Sequence, residues 1–244
     1  MTKNIEGQTA QDFLNIGREL FKEKKFKESM KSLNKAVKLD SQNVKAWNLM
    51  GLTNFTIKNH NSAIKCWQNV LKIEPDNTEA LFLMGIAYQN LKNYKKAIKC
   101  LEEVIRLNSE MSVVYYNIGF NYMALEKYRA AIDAYHKVTE AMPGFKEAWF
   151  YMGHTYLLLG EYYDAINCYK KVTEISPNFV NAWLNLALVY KKLENPLKMY
   201  EYFDKIIKMD PKEFHVWGFL SKQYMNSGDY KKGAECLLDR KSVV

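Results

Sequence analysis

The histidines are the side chains best suited to acid–base chemistry near neutral pH, and they are not arranged for catalysis. They are His60, His136, His154 and His215. Each occupies a different position in the repeating pattern of this chain, and none has a patterned carboxylate or nucleophile beside it. A catalytic dyad or triad needs such a neighbour to orient the imidazole and to exchange a proton with it. The sequence therefore predicts no enzyme activity and no cofactor.

The four cysteines, which could hold a metal ion or form disulfides, share one position of a 34-residue period. Cys66, Cys100, Cys168 and Cys236 are 34, 68 and 68 residues apart, and Ser32 and Ala134 fill the position in two other repeats. We interpret it as a packing position for a small side chain. Its copies would lie on helices separated by another helix, at about 8–10 Å per packed pair, which is too far for a disulfide. The chain has no Cys-x-x-Cys pair or Cys/His cluster, which excludes a zinc site. We expect buried, reduced thiols.

The same period organises nearly the whole chain. Glycines recur at residues 51, 85, 119 and 153, and tryptophans and prolines keep the same interval. A fixed period of this length is typical of a solenoid built from helix pairs. Repeats are predicted to start at residues 10, 44, 78, 112, 146, 180 and 214, the last one incomplete. Residues 10–240 then form the array, residues 1–9 an N-terminal tail and residues 241–244 a C-terminal tail. We number the positions of each repeat from its first residue.

The fifth repeat shows how each repeat is expected to fold. Trp149, Met152, Gly153 and Tyr156 follow an i, i+3, i+4, i+7 spacing and form one face of a first helix. A second helix follows, and Pro177 ends the repeat because proline cannot continue a helix. Glycine in the middle of a helix costs about 1 kcal/mol relative to alanine. Its recurrence at position 8 in five repeats therefore indicates that the two helices approach closely.

Taken together, these features resemble the tetratricopeptide repeat family. In the second repeat the matching residues are Trp47, Met50, Gly51, Ala63, Trp67 and Pro75. The resemblance extends from residue 10 to about residue 240. Its departures include Ser41 and Ser109 in place of the proline, and Met199 in place of the small alanine. It implies an all-α, right-handed superhelical solenoid of about seven helix-turn-helix repeats, with the first helices lining the concave side.

The resemblance also implies a binding groove formed by positions 5, 9 and 12 of the first helices. The predicted groove residues are Asn48, Leu52, Phe55, Phe82, Ile86, Gln89, Tyr116, Phe120, Met123, Phe150, His154, Leu157, Leu184 and Leu188. Most are apolar or aromatic where a solvated helix face would be polar, which is typical of a binding surface. The alternative is that some of them pack first helices against each other, an interpretation that weighs most at position 12. His154 could make binding sensitive to pH or be an ordinary polar groove residue.

The expected function is that of a non-enzymatic scaffold or adaptor that binds a peptide or a helix in this groove. The alternative is a regulatory or chaperone-like subunit that selects substrates for an enzyme, or for a secretion or assembly machine. Family members that act as heat-shock adaptors clamp a terminal carboxylate with Lys, Asn and Arg from three consecutive repeats. Around Asn117, the best candidate, the neighbouring repeats supply Phe82, Ile86, Glu147 and Tyr151. No carboxylate clamp is therefore predicted.

The net charge of +8 is concentrated at the two ends of the array, and the middle repeats are nearly neutral. Lysines of the first repeat stand among acidic residues, which favours a solvated outer face; a phosphate-binding or membrane-surface patch is the alternative. Nucleic acid is not an expected partner. No apolar run approaches the roughly 18 to 20 residues of a membrane-spanning helix, and residues 1–10 lack the apolar core of a signal peptide. We expect a soluble, cytoplasmic protein.

The C-terminal edge of the array is a possible surface for self-association. The last second helix is predicted over residues 230–240, and no polar helix follows it. Repeat arrays normally need a polar end. We therefore expect an exposed edge, which includes Leu237 and Leu238, that could stack on another molecule.

Overall fold

The computed structural model describes residues 8–209, 214–229, 231–233 and 235–236. Within these ranges the regular structure is helical and contains no strand. The helices are α1 (Ala10–Lys22), α2 (Phe26–Leu39), α3 (Val44–Thr56), α4 (His60–Ile73), α5 (Thr78–Asn90), α6 (Tyr94–Leu107), α7 (Val113–Ala124), α8 (Tyr128–Ala141), α9 (Lys146–Leu159), α10 (Tyr162–Ile175), α11 (Val180–Lys192), α12 (Pro196–Met209) and α13 (Phe214–Asn226). Odd-numbered helices are the first helices of the repeats. The predicted all-α chain of tandem helix pairs is confirmed.

The chain divides into two compact units, residues 1–127 and residues 128–244. The N-terminal unit contains α1 to α7, and the C-terminal unit contains α8 to α13. In each unit every helix packs against the next helix along the chain. The core of the N-terminal unit includes Phe13 and Leu33, and that of the C-terminal unit includes Tyr169, Leu186 and Phe203. Removing these apolar side chains from water is the main force that holds each unit together.

Asparagine side chains start several of the helices. Those of Asn43, Asn59, Asn77 and Asn93 each accept a hydrogen bond from the backbone amide three residues later. An amide in the first turn of a helix has no partner within the helix, so this bond satisfies it. The starts of α3, α4, α5 and α6 are therefore fixed locally by sequence.

The turn inside each repeat uses a left-handed residue at position 15. These residues are Lys24, Lys58, Lys92, Glu126, Gly160, Glu194 and Gly228, with φ between 53° and 85°. The next backbone N–H donates to the carbonyl at position 11, for example from Asn59 to Asn54 at 2.8 Å and from Glu161 to Tyr156 at 2.9 Å. A left-handed backbone costs an L-residue with a side chain roughly 1–2 kcal/mol. The recurring hydrogen bond helps to offset that cost.

Position 8 brings the two helices of a repeat close together. A methyl group placed on Gly51 would lie 2.5 Å from the indole nitrogen of Trp67, and one on Gly85 would lie 2.9 Å from Cγ of Leu101. These distances are shorter than any normal carbon contact, so only a very small residue fits. Within the two units, the residue opposite, at position 24, is large and fully buried; these residues are Leu33, Trp67, Leu101, Tyr169 and Phe203. The close approach inferred from the glycine pattern is thus present in the structure.

In the first and last repeats a serine hydroxyl ties the two helices together. Ser29 Oγ, at position 20, donates to the backbone carbonyl of Gly17, at position 8, at 2.7 Å. In the last repeat the two residue types are exchanged, and Ser221 Oγ donates to the carbonyl of Gly233, also at 2.7 Å. The same pair of positions therefore accepts either order, provided that one residue is glycine.

Tryptophan at position 4 links consecutive repeats. Its indole N–H donates to the backbone carbonyl at position 32 of the preceding repeat. The pairs are Trp47 with Ser41 (2.9 Å), Trp149 with Pro143 (2.9 Å) and Trp183 with Pro177 (2.6 Å). Because the acceptor belongs to the backbone, serine replaces proline at residue 41 without loss of the bond.

The cysteines lie where the packing interpretation puts them. Cys66, Cys100 and Cys168 are buried thiols outside any disulfide. Burial raises the pKa of Cys66 and of Cys100 to about 11, and that of Cys168 to about 12. Desolvation disfavours the thiolate, the reactive form of cysteine, so these side chains contribute packing rather than reactivity.

Replacing Gly160 with alanine tests the left-handed turn. We expect Gly160→Ala to lower the free energy of unfolding by about 1 kcal/mol, because a φ of 78° is unfavourable for a residue with a Cβ. Gly144→Ala is the matched control. A methyl group on either glycine meets no heavy atom within 4 Å, but only Gly160 has a left-handed backbone. Urea unfolding should show the control neutral or slightly stabilised, and equal losses for the two variants would contradict the interpretation.

A double-mutant cycle tests the contact between positions 8 and 24. Gly51→Ala should lower the free energy of unfolding by about 1–3 kcal/mol, because the added methyl group overlaps the Trp67 ring. The sixth repeat holds Ala187 and Phe203 at these two positions, and both are fully buried. Adding Trp67→Phe should therefore recover part of the loss. Strictly additive effects in urea unfolding would show that the two residues are not coupled in this way.

Candidate functional site

The predicted groove residues lie on first helices of both units, and none of them is in the fully buried core. Those in the N-terminal unit are on α3, α5 and α7, and those in the C-terminal unit are on α9 and α11. Leu52 is 36% exposed, and the other members of the set are half-buried. Neighbours on the same helices, such as Met84 and Leu186, are buried. The first helices thus have one face in the core and another that keeps contact with solvent.

In the N-terminal unit, two residues at position 12 serve internal packing. Gln89 Oε1 accepts a hydrogen bond from Asn121 Nδ2 at 2.9 Å, which joins α5 to α7. Phe55 packs its ring 5.0 Å from that of His60 and 6.1 Å from that of Trp67. These contacts favour the alternative interpretation for position 12, in which the side chain holds helices together.

The residues at position 5 differ in their contacts: one is an aromatic ring packed among others, and another is a polar side chain. Phe150 makes edge-to-face contacts with Phe179 at 5.3 Å and with Tyr151 at 5.6 Å, and it lies 5.7 Å from Tyr169. This aromatic cluster fixes the Phe150 ring while leaving part of it accessible. In the N-terminal unit, Asn48 Oδ1 is shielded from solvent and accepts no hydrogen bond from any described residue. An N–H group of a bound partner would satisfy that oxygen.

The C-terminal unit contains a cleft between α9 and α11, which we call the α9–α11 cleft. Its volume is about 590 Å³, and it is lined by Leu157, Tyr162, Leu188, Lys191, Lys192 and Glu194. Leu157 occupies position 12 of the fifth repeat and Leu188 position 9 of the sixth, so the fold brings two predicted residues to one place. Its ionisable rim carries two lysines against one glutamate. The cleft therefore combines apolar walls with an excess of positive charge.

His154 lies one helical turn before Leu157 on α9 and is half-buried. Burial lowers the pKa of its imidazole, because desolvation disfavours the protonated ring. At neutral pH the ring is therefore uncharged, and it adds no charge to the apolar face of α9.

Leu157, Leu188 and Lys191 occupy groove positions of their repeats, and the sequence interpretation missed the other three residues of the α9–α11 cleft. Tyr162, Lys192 and Glu194 occupy positions 17, 13 and 15, in or next to the turns that follow α9 and α11. Only the packing of one repeat on the next places them beside Leu157 and Leu188. One feature of the sequence could have pointed to this cleft: a pair of lysines ends a first helix only in the sixth repeat.

The structure shows no metal centre in the residues that it describes. No group of three or more His, Cys, Asp or Glu side chains there could hold an ion. Across the same ranges, no helix has the length and apolar character needed to cross a membrane.

Family comparison supports the repeat assignment over most of the chain. A model described as TPR repeat matches residues 17–58 and 153–194, and one described as tetratricopeptide repeat matches residues 180–213. A third, described as anaphase-promoting complex, cyclosome, subunit 3, matches residues 57–138. The chain belongs to the tetratricopeptide repeat (TPR) family. TPR proteins typically act as protein-interaction scaffolds and are typically non-enzymatic.

Similar solved structures agree with this fold. A crystal structure of MamA is 27% identical over 67% of this chain and 96% of that one, with a TM-score of 0.64. YrrB, described as a TPR protein with an unusual peptide-binding site, is 22% identical over 75% of this chain and 95% of that one, with a TM-score of 0.63. The C-terminal part of a TPR protein from Cytophaga hutchinsonii is 15% identical and covers 94% of both chains, with a TM-score of 0.81. Comparison with curated proteins finds no match.

Several expectations from the sequence remain predictions. They are the absence of a carboxylate clamp, the absence of nucleic-acid binding and the cytoplasmic location. The proposed self-association edge depends on Leu237 and Leu238, which lie outside the residues that the structure describes.

The lowered pKa of His154 predicts an acid-sensitive contribution to stability. As the pH falls, the imidazole takes up a proton in the unfolded chain before it does so in the folded chain. The stability that His154 contributes is therefore present above the pKa of the unfolded state. It is lost as the pH falls through the lower pKa of the folded state. We expect the melting temperature of His154→Leu to fall less than that of the parent between about pH 7.5 and about pH 5.5. His136→Leu is the control: His136 is exposed on α8 with its Nδ1 3.3 Å from a Glu140 carboxylate oxygen, so its loss should not make the melting temperature fall less than that of the parent. Parallel melting curves for His154→Leu and the parent would contradict the prediction.

Proposed function

We propose that this TPR array is a non-enzymatic scaffold or adaptor that binds a peptide or helix of a partner protein, with the α9–α11 cleft as the main anchoring site. The observation that carries the proposal is the presence of Leu157 and Leu188, from successive repeats, in one cleft of about 590 Å³. Pockets of a few hundred to about 1,000 Å³ are typical of specific ligand sites. A single apolar side chain with its neighbouring backbone fits such a space.

The charge of the rim indicates what should flank that side chain. Lys191 and Lys192 stand beside Leu188, and Glu194 is the one acidic residue of the lining. Lys191 Nζ lies 4.9 Å from the centre of the Phe219 ring, a contact that holds the ammonium group in place without neutralising it. An acidic residue next to the apolar anchor would complement this excess positive charge.

Binding is expected to be moderate in strength. Burying two or three large apolar side chains at about 2 kcal/mol each gives roughly 4–6 kcal/mol. Ordering a flexible peptide opposes this by several kcal/mol. For a preformed helix that avoids this cost, about 4–6 kcal/mol corresponds to a dissociation constant between about 1 mM and tens of micromolar, and contacts with other repeats are needed for micromolar affinity. In the N-terminal unit, Leu52, Phe82 and Ile86 provide a second predicted contact surface of the same kind.

The experiment is to select peptides on an array of 12-residue sequences and to measure their affinity by fluorescence polarisation. Leu188→Glu, and separately Leu157→Glu, should weaken binding by about tenfold or more, because each places a charge against an apolar ligand. Leu197→Glu is the matched control, since Leu197 is 83% exposed on α12 and lies outside the cleft. It should bind like the parent.

Circular dichroism would first establish that each variant is folded. Unchanged affinity in folded Leu188→Glu and Leu157→Glu would rule out the α9–α11 cleft as the anchoring site. A loss of equal size in Leu197→Glu would show that the added charge acts through the whole surface and not through the cleft.

A further inference from the structure

The third repeat is the one repeat whose residue at position 4 is not aromatic. In chain order this position holds Phe13, Trp47, Leu81, Tyr115, Trp149, Trp183 and Trp217. A leucine has no N–H group, so it cannot make the indole bond to the preceding repeat. The leucine side chain is also smaller than an indole, so part of the volume that tryptophan fills in other repeats is left unfilled.

The sixth repeat shows where the indole lies when it is present. The ring centre of Trp183 is 5.8 Å from that of Tyr202, at position 23, and Lys205 Nζ, at position 26, lies 5.2 Å from the centre of the Trp183 ring. The indole therefore lies beside positions 23 and 26 of the second helix. In the third repeat those positions are Cys100 and Glu103.

An open cleft occupies this place in the third repeat, and we call it the Leu81 cleft. Its volume is about 390 Å³, and Leu81, Met84, Tyr88 and Cys100 supply its apolar lining. Cys100 and Glu103 are both in the lining, so the cleft is bordered by the two positions that lie beside the indole in the sixth repeat. The volume lies within the range of specific small-ligand sites.

The rim of the Leu81 cleft is positive. Lys96 and Lys99 line it together with Glu103. Glu103 is paired with Arg106 at 2.6 Å, and that bond lowers the pKa of its carboxyl. Lys96 Nζ lies 5.5 Å from the centre of the Tyr88 ring, and Lys99 forms no ion pair with any residue that the structure describes. Two ammonium groups are therefore left without a carboxylate of their own at the edge of an apolar space.

The Leu81 cleft lies on a different side of α5 from the predicted groove. At 100° per residue, position 4 is separated by about 80° from position 12 (Gln89), by about 100° from position 5 and by about 140° from position 9. Phe82 and Ile86 hold positions 5 and 9 in this repeat. The cleft is therefore distinct from the proposed groove and does not depend on it.

We propose that the Leu81 cleft is a second binding site, which takes an aromatic side chain, best an indole, from a partner peptide with acidic residues beside it. The same fold places its own indole at the equivalent site in the sixth repeat, which shows that the surroundings accept this shape. Lys96 and Lys99 provide the charge that selects an acidic flank. The partner thus supplies the aromatic ring that this repeat lacks.

Titration with two blocked tripeptides, Glu-Trp-Glu and Lys-Trp-Lys, tests the proposal by NMR of the isotopically labelled protein. Glu-Trp-Glu should shift the amide signals of residues 81–88 and 96–103 and should bind more tightly than Lys-Trp-Lys. Leu81→Trp fills the cleft from within and should weaken Glu-Trp-Glu by about tenfold or more. Unchanged binding by Leu81→Trp would overturn the proposal.

Two further variants complete the test. Lys99 is exposed, so Lys99→Glu should leave the fold intact. It should weaken Glu-Trp-Glu about fivefold and favour Lys-Trp-Lys. Equal affinity of the two tripeptides for the parent, or no change in Lys99→Glu, would overturn the acidic preference. Leu188→Glu should retain the binding, and its loss there would place the tripeptide in the α9–α11 cleft instead.

Discussion

The close contact between position 8 and position 24 is the constraint on which each repeat depends. A glycine such as Gly51 allows the second helix to approach until a side chain as large as Trp67 is completely buried. The cost of glycine within a helix is about 1 kcal/mol, and burying a large apolar side chain contributes about 1.5–3 kcal/mol. The contact is therefore favourable overall. A different pair of residues at the same two positions again combines a small side chain with a large buried one. Where alanine occupies position 8, at Ala187, the buried partner is Phe203.

This contact also determines which surfaces remain for binding. In α3, α5, α7, α9 and α11 one face is used by the core, so positions 5, 9 and 12 lie at its edge and stay partly exposed. Small departures from the repeat pattern then create local sites. Two lysines that end α11 give the α9–α11 cleft its charge, and Leu81 in the place of a tryptophan opens a cleft in the third repeat. A repeat array can thus gain a local cleft by a single substitution, because the neighbouring repeats maintain the fold.

The sequence predicted the helix pairs, the close approach at the glycines and the buried cysteines, because all three follow from a strict period. It did not predict the left-handed turns, since residues such as Lys58 and Glu126 occupy position 15 and give no glycine signal. The groove itself stays a prediction. Leu157 and Leu188 line one cleft, whereas Gln89 is bonded to Asn121. Whether a half-exposed side chain contacts a neighbour or solvent depends on the packing of successive repeats, which the period does not specify.

The central claim is that the first helices carry both a buried face and an accessible apolar face. Hydroxyl-radical footprinting of the free protein, read by mass spectrometry, measures this directly by comparing leucines on the same helix. Leu188 should be oxidised several times faster than Leu186, which is fully buried two residues earlier on α11, since the labelling rate follows exposure of the side chain. Equal protection of Leu188 and Leu186 would contradict the account, because no apolar surface would then be available to a partner.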